Sequence, residues 1–213
     1  MGRATSIDFY LTYDLVEMFV KKVTIDQKVR ILDDFFKVEQ VHLRYEKFDG
    51  QMSSLVRRLN FERGDSVAAV IFNPKTKTLT LVNQFKYPTY EKGPGWITEI
   101  VAGMIDKGES PDAAIRREIM EETGYSITTL EHISTFYVSP GGSSERIILY
   151  YAEISNEGRV ESGGGVASEA EDILTIEIRL DDALKKIQDG EIADAKTILG
   201  IYWLKNRSKQ VNQ

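Results

Sequence analysis

The sequence predicts an α+β fold in which a mixed β-sheet is packed against α-helices. Three observations lead to this prediction. Short strands with alternating apolar residues dominate the first half of the chain, a single clearly capped helix follows them, and two further helices close the chain. The 213 residues contain 42% apolar and 28% charged residues, which is the balance of an ordinary globular protein.

The strands are predicted from alternation between turn signals. Val41, Leu43 and Tyr45 alternate with polar residues, Asp49-Gly50 is a turn signal, and Asn73-Pro74 separates the two arms of a second hairpin. The predicted strands cover residues 33–45, 53–62, 66–72, 78–85, 96–101, 131–138, 145–154 and 173–180.

The clearest helix is predicted over residues 110–123. Ser110 suits the N-cap, Pro111 suits the first helical position, and Gly124 ends the helix. The two closing helices are predicted over residues 180–189 and 194–206. Near the N-terminus, Leu11, Leu15 and Phe19 fall at helical spacing, which predicts a short amphipathic helix, although Met18 could itself start a plausible chain.

Composition and charge exclude several functions. The chain has no cysteine, which excludes disulfide scaffolds, thiolate zinc sites and cysteine nucleophiles, and fits a cytoplasmic protein. A net charge of −6 without a long basic run disfavours nucleic acid as a partner. Asp8, Asp14 and Glu17 interrupt the apolar N-terminal stretch, so no membrane segment is expected.

Three glutamates share one face of the predicted helix 110–123. Glu118, Glu121 and Glu122 lie at positions i, i+3 and i+4. Like charges at these spacings repel by about 0.2–0.5 kcal/mol per pair. Carboxylate oxygens are the ligands that Mg²⁺ prefers. From spacing alone, the cluster is either a solvated acidic face or a site for a divalent cation.

A longer pattern around these glutamates resembles the Nudix box. The fixed positions of that box are Gly103, Glu109, Arg117, Glu118, Glu121, Glu122 and Gly124, and all of them match. Seven residues at these spacings should coincide by chance less than about once in a million chains of this size. Tyr125, where an aliphatic residue is commoner, is the mildest departure. The resemblance implies a Nudix fold, with a mixed β-sheet sandwiched between α-helices.

The resemblance also implies roles for particular residues. Metal ligands would be Glu118, Glu122 and the backbone carbonyl of Ala102, with Glu121 contributing, and the metal would be Mg²⁺, for which Mn²⁺ could substitute. Arg117 would orient the glutamates, and Glu109 would anchor the loop to the helix.

Features outside the box resemble ADP-ribose, GDP-mannose and UDP-glucose pyrophosphatases. Pro140 lies 15 residues past the box, residues 99–104 resemble the strand that enters it, and Gly163–Gly165 resembles the catalytic loop of this group. The general base would be Glu169, with Glu171 as second candidate. The candidate substrate-binding residues are Lys86, Glu99, Ser139, Arg146 and Arg58. Lys86 stands where the group usually has arginine, so it would lack a bidentate fork.

The implied function is metal-dependent hydrolysis of the diphosphate bond of a nucleoside-diphosphate sugar. One alternative is a Nudix hydrolase of nucleoside triphosphates or dinucleoside polyphosphates, and another is a non-catalytic regulator that binds nucleotide sugars. We expect a homodimer, with residues 1–62 as the N-terminal extension and dimerisation region, 63–207 as the catalytic domain and 208–213 as a tail.

Overall fold

The structure, a computed structural model, describes residues 21–127, 129–166, 168 and 170–210. The predicted N-terminal helix around Leu15 and the predicted base Glu169 lie outside the described residues. The chain forms two compact units, Met1–Glu62 and Arg63–Gln213.

The first unit is a three-stranded antiparallel sheet. Its strands are β1 (Val23–Asp33), β2 (Lys37–Tyr45) and β3 (Val56–Glu62), in the order β1-β2-β3. The sequence did not predict β1, and it extended β2 back to Asp33. Every residue of β1 is exposed, and the strand forms by pairing with β2, although Val23, Ile25, Val29 and Ile31 do alternate with polar residues in the sequence.

The second unit is built around a seven-stranded mixed sheet. Five of its strands are β4 (Ser66–Asn73), β5 (Thr78–Phe85), β8 (Thr129–Tyr137), β9 (Arg146–Glu153) and β10 (Leu174–Arg179). They follow the order β10-β5-β4-β9-β8, and β4 pairs with β9 in parallel.

The single strand predicted over residues 96–101 is in fact two strands. β6 (Trp96–Glu99) pairs with β5, whereas β7 (Val101–Met104) pairs with β4. The change of partner occurs at Ile100, whose N–H bonds to the side chain of Thr197 instead of joining a strand ladder. The prediction was wrong because a run of apolar residues does not reveal a change of strand partner.

The described residues of this unit also form four α-helices and one 3₁₀ turn with named bounds. They are α1 (Tyr87–Tyr90), α2 (Pro111–Thr123), the 3₁₀ turn Asn156–Gly158, α3 (Leu180–Gln188) and α4 (Ala195–Gln210). The caps of α2 are confirmed, because Ser110 Oγ accepts the N–H of Ala113 at 3.2 Å and Gly124 ends the helix with φ 74°. Helix α4 continues past Asn206, where its end was predicted.

Helices cover both faces of this sheet. Val67 and Ile71 of β4 pack with Ile115 and Ile119 of α2, whereas the alternate residue Val70 packs into a second core with residues of α3 and α4. The mixed sheet between helices that the sequence predicts is therefore observed. None of the helices in the described part of the chain is long and apolar enough to span a membrane.

Candidate active site

Helix α2 presents its glutamates to strand β7. The contact is closest at Gly103, where a Cβ atom would lie only 1.9 Å from Oε1 of Glu118. A glycine at this position therefore lets the Glu118 carboxylate rest directly against the strand backbone. Ala102, whose carbonyl was predicted to be a metal ligand, is the preceding residue of β7 and pairs with Ala68 of β4.

Arg117 organises the carboxylates on the outer side of α2. Its guanidinium donates to both oxygens of Glu109 at 3.1 and 3.0 Å, to Oε1 of Glu118 at 2.8 Å and to Oε2 of Glu121 at 3.0 Å. It also donates to the carbonyl of Met104 at 3.2 Å. Hydrogen bonding to Arg117 lowers the pKa of Glu109. Arg117 therefore contacts all three of Glu109, Glu118 and Glu121, and its orienting role remains a prediction.

Glu122 lies deeper than its neighbours on α2. It is 1% exposed, and its Oε2 has no hydrogen-bond partner among the described residues. Burial, together with the nearby charges of Glu118 and Glu99, raises the pKa of Glu122 well above its ordinary value. Burial also raises the pKa of Glu118, against the opposing effect of Arg117. Both carboxylates would be better stabilised as anions by a cation bound between them.

Glu99 is a second buried carboxylate, at the end of β6. It is 5% exposed, and Nζ of Lys196 donates to its Oε2. Lys86 Nζ lies 3.6 Å from its Oε1, which accepts no hydrogen bond in the described structure. Burial alone would lower the pKa of Lys196, but the charges of Glu99 and Asp194 raise it. Lys86 and Glu99, both predicted site residues, are thus brought together.

The structure adds Lys196, which sequence reasoning did not identify. It lies in the first turn of α4, 97 residues after Glu99 in the sequence. A lysine in an ordinary amphipathic helix carries no local signal of burial. The nearest signal in the sequence is Asp194, which is a typical N-cap residue and marks the start of the helix. Its carboxylate caps α4 by accepting the N–H of Thr197 at 3.0 Å.

The glycine loop after the box is bonded to the C-terminal end of α2. The N–H of Gly164 donates to the carbonyl of Glu122 at 2.9 Å, and the N–H of Gly165 donates to that of Glu121 at 3.0 Å. Gly163, Gly164 and Gly165 have φ values of 66°, 104° and 87°, which L side chains rarely adopt. The triple glycine therefore satisfies carbonyls that the helix end leaves open.

Glu171 lies next to this loop. Its Oε2 accepts the N–H of Val166 at 3.0 Å, and a Cβ atom on Gly165 would meet the Glu171 side chain at 2.7 Å. The charge of Glu171 also makes a small contribution to the raised pKa values of Glu118 and Glu122. Glu169 lies outside the described residues.

The remaining predicted substrate-binding residues are more exposed. Arg146 forms a paired contact with Asp65, donating from Nε at 3.2 Å and from its terminal nitrogen at 2.5 Å. Ser139 is exposed, and its carbonyl accepts the N–H of Gly142 and Ser143 in a turn. Arg58 is exposed on β3 of the N-terminal unit and donates to the carbonyl of Arg57.

The donor set fits a hard divalent cation. Mg²⁺ takes one or two carboxylates and completes its coordination with water and phosphate oxygens, so it does not need a closed cage of side chains. In the described part of the chain, no three His, Cys, Asp or Glu side chains are already arranged as such a cage. The buried, unpartnered Oε2 of Glu122 and the space that Gly103 leaves for Glu118 suit an open site.

Known proteins resemble this chain over most of its length. It is 34% identical over 186 residues to "GDP-mannose pyrophosphatase" of Escherichia coli O1:K1, which covers 86% of this chain and 95% of that protein. A protein of Shigella boydii serotype 4 with the same name is equally similar. A solved structure described as "ADP compounds hydrolase" superposes with a TM-score of 0.69 at 21% identity, over 89% of this chain and 95% of that chain.

The structural likeness confirms the predicted Nudix fold. At 21% identity it supports the fold alone and not the activity. Residues 62–198 match the NUDIX domain family, and the complete box lies within that match. More than half of the chain is covered by that match, and the box glutamates Glu118, Glu121 and Glu122 lie on helix α2. The chain accordingly belongs to the Nudix family of pyrophosphohydrolases.

Proposed function

We propose that this chain hydrolyses the diphosphate bridge of a nucleoside-diphosphate sugar in a Mg²⁺-dependent reaction, with GDP-mannose as the first substrate to test. The observation that carries the proposal is the buried carboxylate of Glu122, which has an oxygen without a partner in the described residues and is close enough to Glu118 for the two charges to interact, as expected of a site for a bound cation. The similarity to a protein named GDP-mannose pyrophosphatase supports the choice of substrate.

In the proposed mechanism, the protein supplies ligands, charge and a base. Glu118, Glu122 and the carbonyl of Ala102 would hold Mg²⁺, which neutralises the diphosphate and polarises the attacked phosphorus. Arg117 keeps Glu118 in place through the 2.8 Å contact, so that the ligand is preorganised. Lys86 provides a further positive charge for a phosphate group.

The chemical step needs one water molecule and one base. Water oxygen bonds to one phosphorus while the bridging P–O bond breaks, so GDP-mannose would yield GMP and mannose 1-phosphate. We assign Glu169 as the group that accepts the proton of this water, with Glu171 as the second candidate. In support of the second candidate, Glu171 accepts the N–H of Val166 at 3.0 Å, next to the glycine loop that is bonded to the end of α2.

We further propose that the chain acts as a cytoplasmic homodimer in which the N-terminal strands form the contact between copies and contribute to the partner's substrate pocket. The support lies within the N-terminal unit itself. Val23, Ile25 and Ile31 of β1 are more than half exposed, and Phe35 beyond the strand is 71% exposed. Such an apolar surface is typical of a protein interface.

A substrate panel tests the proposed activity. GDP-mannose, ADP-ribose, UDP-glucose, a nucleoside triphosphate and a dinucleoside polyphosphate would each be incubated with Mg²⁺ and with EDTA, and products identified by chromatography. We expect a nucleoside monophosphate and a sugar phosphate from at least one nucleotide sugar, with no turnover in EDTA. Preferred hydrolysis of the triphosphate, or full activity in EDTA, would refute the proposal.

A further inference from the structure

The side chain of Lys196 is buried and forms ion pairs with two carboxylates. Its Nζ contacts Oε2 of Glu99 and lies 3.1 Å from Oδ1 of Asp194, and its side chain is only 12% exposed. Removing an ammonium group from water is unfavourable unless ionic partners compensate for the lost hydration. An ion pair at this depth therefore holds its partners in one arrangement.

The first turn of α4 is a rigid platform for this lysine. Thr197 Oγ1 accepts the N–H of Ile100 at 2.9 Å, and Asp194 Oδ2 accepts the N–H and the hydroxyl of Thr197 at 3.0 and 2.5 Å. Lys196 and Thr197 thus bond to two consecutive residues, Glu99 and Ile100, where the chain passes from β6 to β7. This passage is followed directly by Ala102 and Gly103 of the metal site.

Two buried carboxylate oxygens near this turn have no hydrogen-bond partner among the described residues. They are Oε1 of Glu99 and Oε2 of Glu122, on side chains that are 5% and 1% exposed. Lys86 lies 3.6 Å from the Glu99 oxygen, beyond hydrogen-bond distance. A buried oxygen left in this way indicates a missing cation or ordered water. Because Lys196 occupies the other oxygen of Glu99, only Oε1 is left to bind one.

We propose that Lys196 is a positioning residue of the metal site, which holds Oε2 of Glu99 so that Oε1 of Glu99, together with Glu122, binds the divalent cation directly or through its water. The inference rests on the proposed metal-dependent function and adds Glu99 and Lys196 to the site. Without Lys196, nothing fixes Oε2 of Glu99, and the carboxylate turns away from Glu122.

The test measures Mn²⁺ binding to the whole chain without substrate, by electron paramagnetic resonance of free Mn²⁺. Lys196→Met and Glu99→Gln should each weaken binding by about 10-fold, the usual effect of removing an outer partner of a metal ligand. The double variant should be no weaker than either single variant, because both changes remove one interaction. Lys186→Met is the control, since that exposed lysine pairs with Glu191, and it should bind Mn²⁺ normally.

Activity gives a second readout that a purely structural lysine would not move. Lys196→Met should raise the Mg²⁺ concentration for half-maximal turnover by about 10-fold, with kcat at saturating Mg²⁺ within a few-fold of the unmodified protein. Unchanged Mn²⁺ affinity in Lys196→Met or Glu99→Gln, or additive losses of affinity in the double variant, would overturn this inference but leave the proposed function standing. Should Lys196→Met fail to fold, Glu99→Gln decides. An unmodified chain that binds no Mn²⁺ would overturn the proposed function as well.

Discussion

Gly103→Ala is the substitution for which the structure gives the sharpest expectation. The added Cβ would lie 1.9 Å from Oε1 and 2.0 Å from Cδ of Glu118, whereas real Cβ contacts are essentially never below 3.0 Å. The Glu118 carboxylate must therefore retreat by about 1 Å, the difference between these distances. It is the end of a flexible side chain, so the backbone of β7 can stay in place.

The expected magnitude follows from that displacement. A misplacement of about 1 Å in an active site can cost roughly 100-fold in rate, and we expect a loss of turnover on that scale. Stability should not fall in parallel. Gly103 has no positive φ, and replacing glycine in a strand by alanine removes backbone entropy from the unfolded chain, which stabilises by about 0.5–1 kcal/mol.

The assay compares Gly103→Ala with Gly158→Ala. At Gly158 the new Cβ would meet its nearest atom, the carbonyl oxygen of Ser126, at an ordinary 3.5 Å, so turnover should be unchanged. For each variant, kcat would be measured with the best nucleotide sugar, Mn²⁺ affinity by titration, and Tm by circular dichroism. Near-native turnover and Mn²⁺ affinity in Gly103→Ala would refute the reasoning that Glu118 acts from the position it occupies here.

The remaining predictions concern the buried carboxylate, the base and the dimer. Glu122→Gln should lower turnover by at least ~100-fold. Because the pKa of Glu122 is raised in the folded state, its contribution to stability in EDTA is present below the ordinary pKa of 4.5 and is lost as pH rises through the folded pKa. The Tm of the unmodified protein should therefore fall over that pH interval by more than the Tm of Glu122→Gln, and equal slopes of Tm against pH by scanning calorimetry would contradict this. Glu169→Gln should cost ~10²–10⁴ in kcat with little change in Mn²⁺ affinity; the same loss in Glu171→Gln alone would move the base by two residues. Ile25→Lys should convert a dimer into monomers by light scattering, and an unmodified protein that is fully active as a monomer at micromolar concentration would disprove the assembly.

Local chemistry explains what could be predicted from the sequence. The ends of α2 follow from Ser110, Pro111 and Gly124, which act within one turn of the chain. The pairing of Arg117 with Glu121 follows from helical spacing, because the two residues lie at positions i and i+4 of α2. In each case the interacting residues are close together in the sequence, so their spacing along the chain is enough to predict the contact.

Long-range pairing explains what could not be predicted. The burial of Lys196 against Glu99 depends on where α4 docks, and no pattern near residue 196 records that. The division of residues 96–104 into β6 and β7 depends on two different partner strands. Strand β1 is exposed along its whole length, and its place is fixed by its pairing with β2. These features belong to the assembled sheet.

The glycine loop couples Glu171 to the helix that carries the box glutamates. The N–H groups of Gly164 and Gly165 donate to the carbonyls of Glu122 and Glu121, so two backbone hydrogen bonds hold this part of the loop to the end of α2. The N–H of Ile173 donates to the carbonyl of Gly164, and the N–H of Val166 donates to Oε2 of Glu171 at 3.0 Å. A substitution that loosened the triple glycine would therefore release the last turn of α2 and Glu171 together, so the two would lose order as one unit.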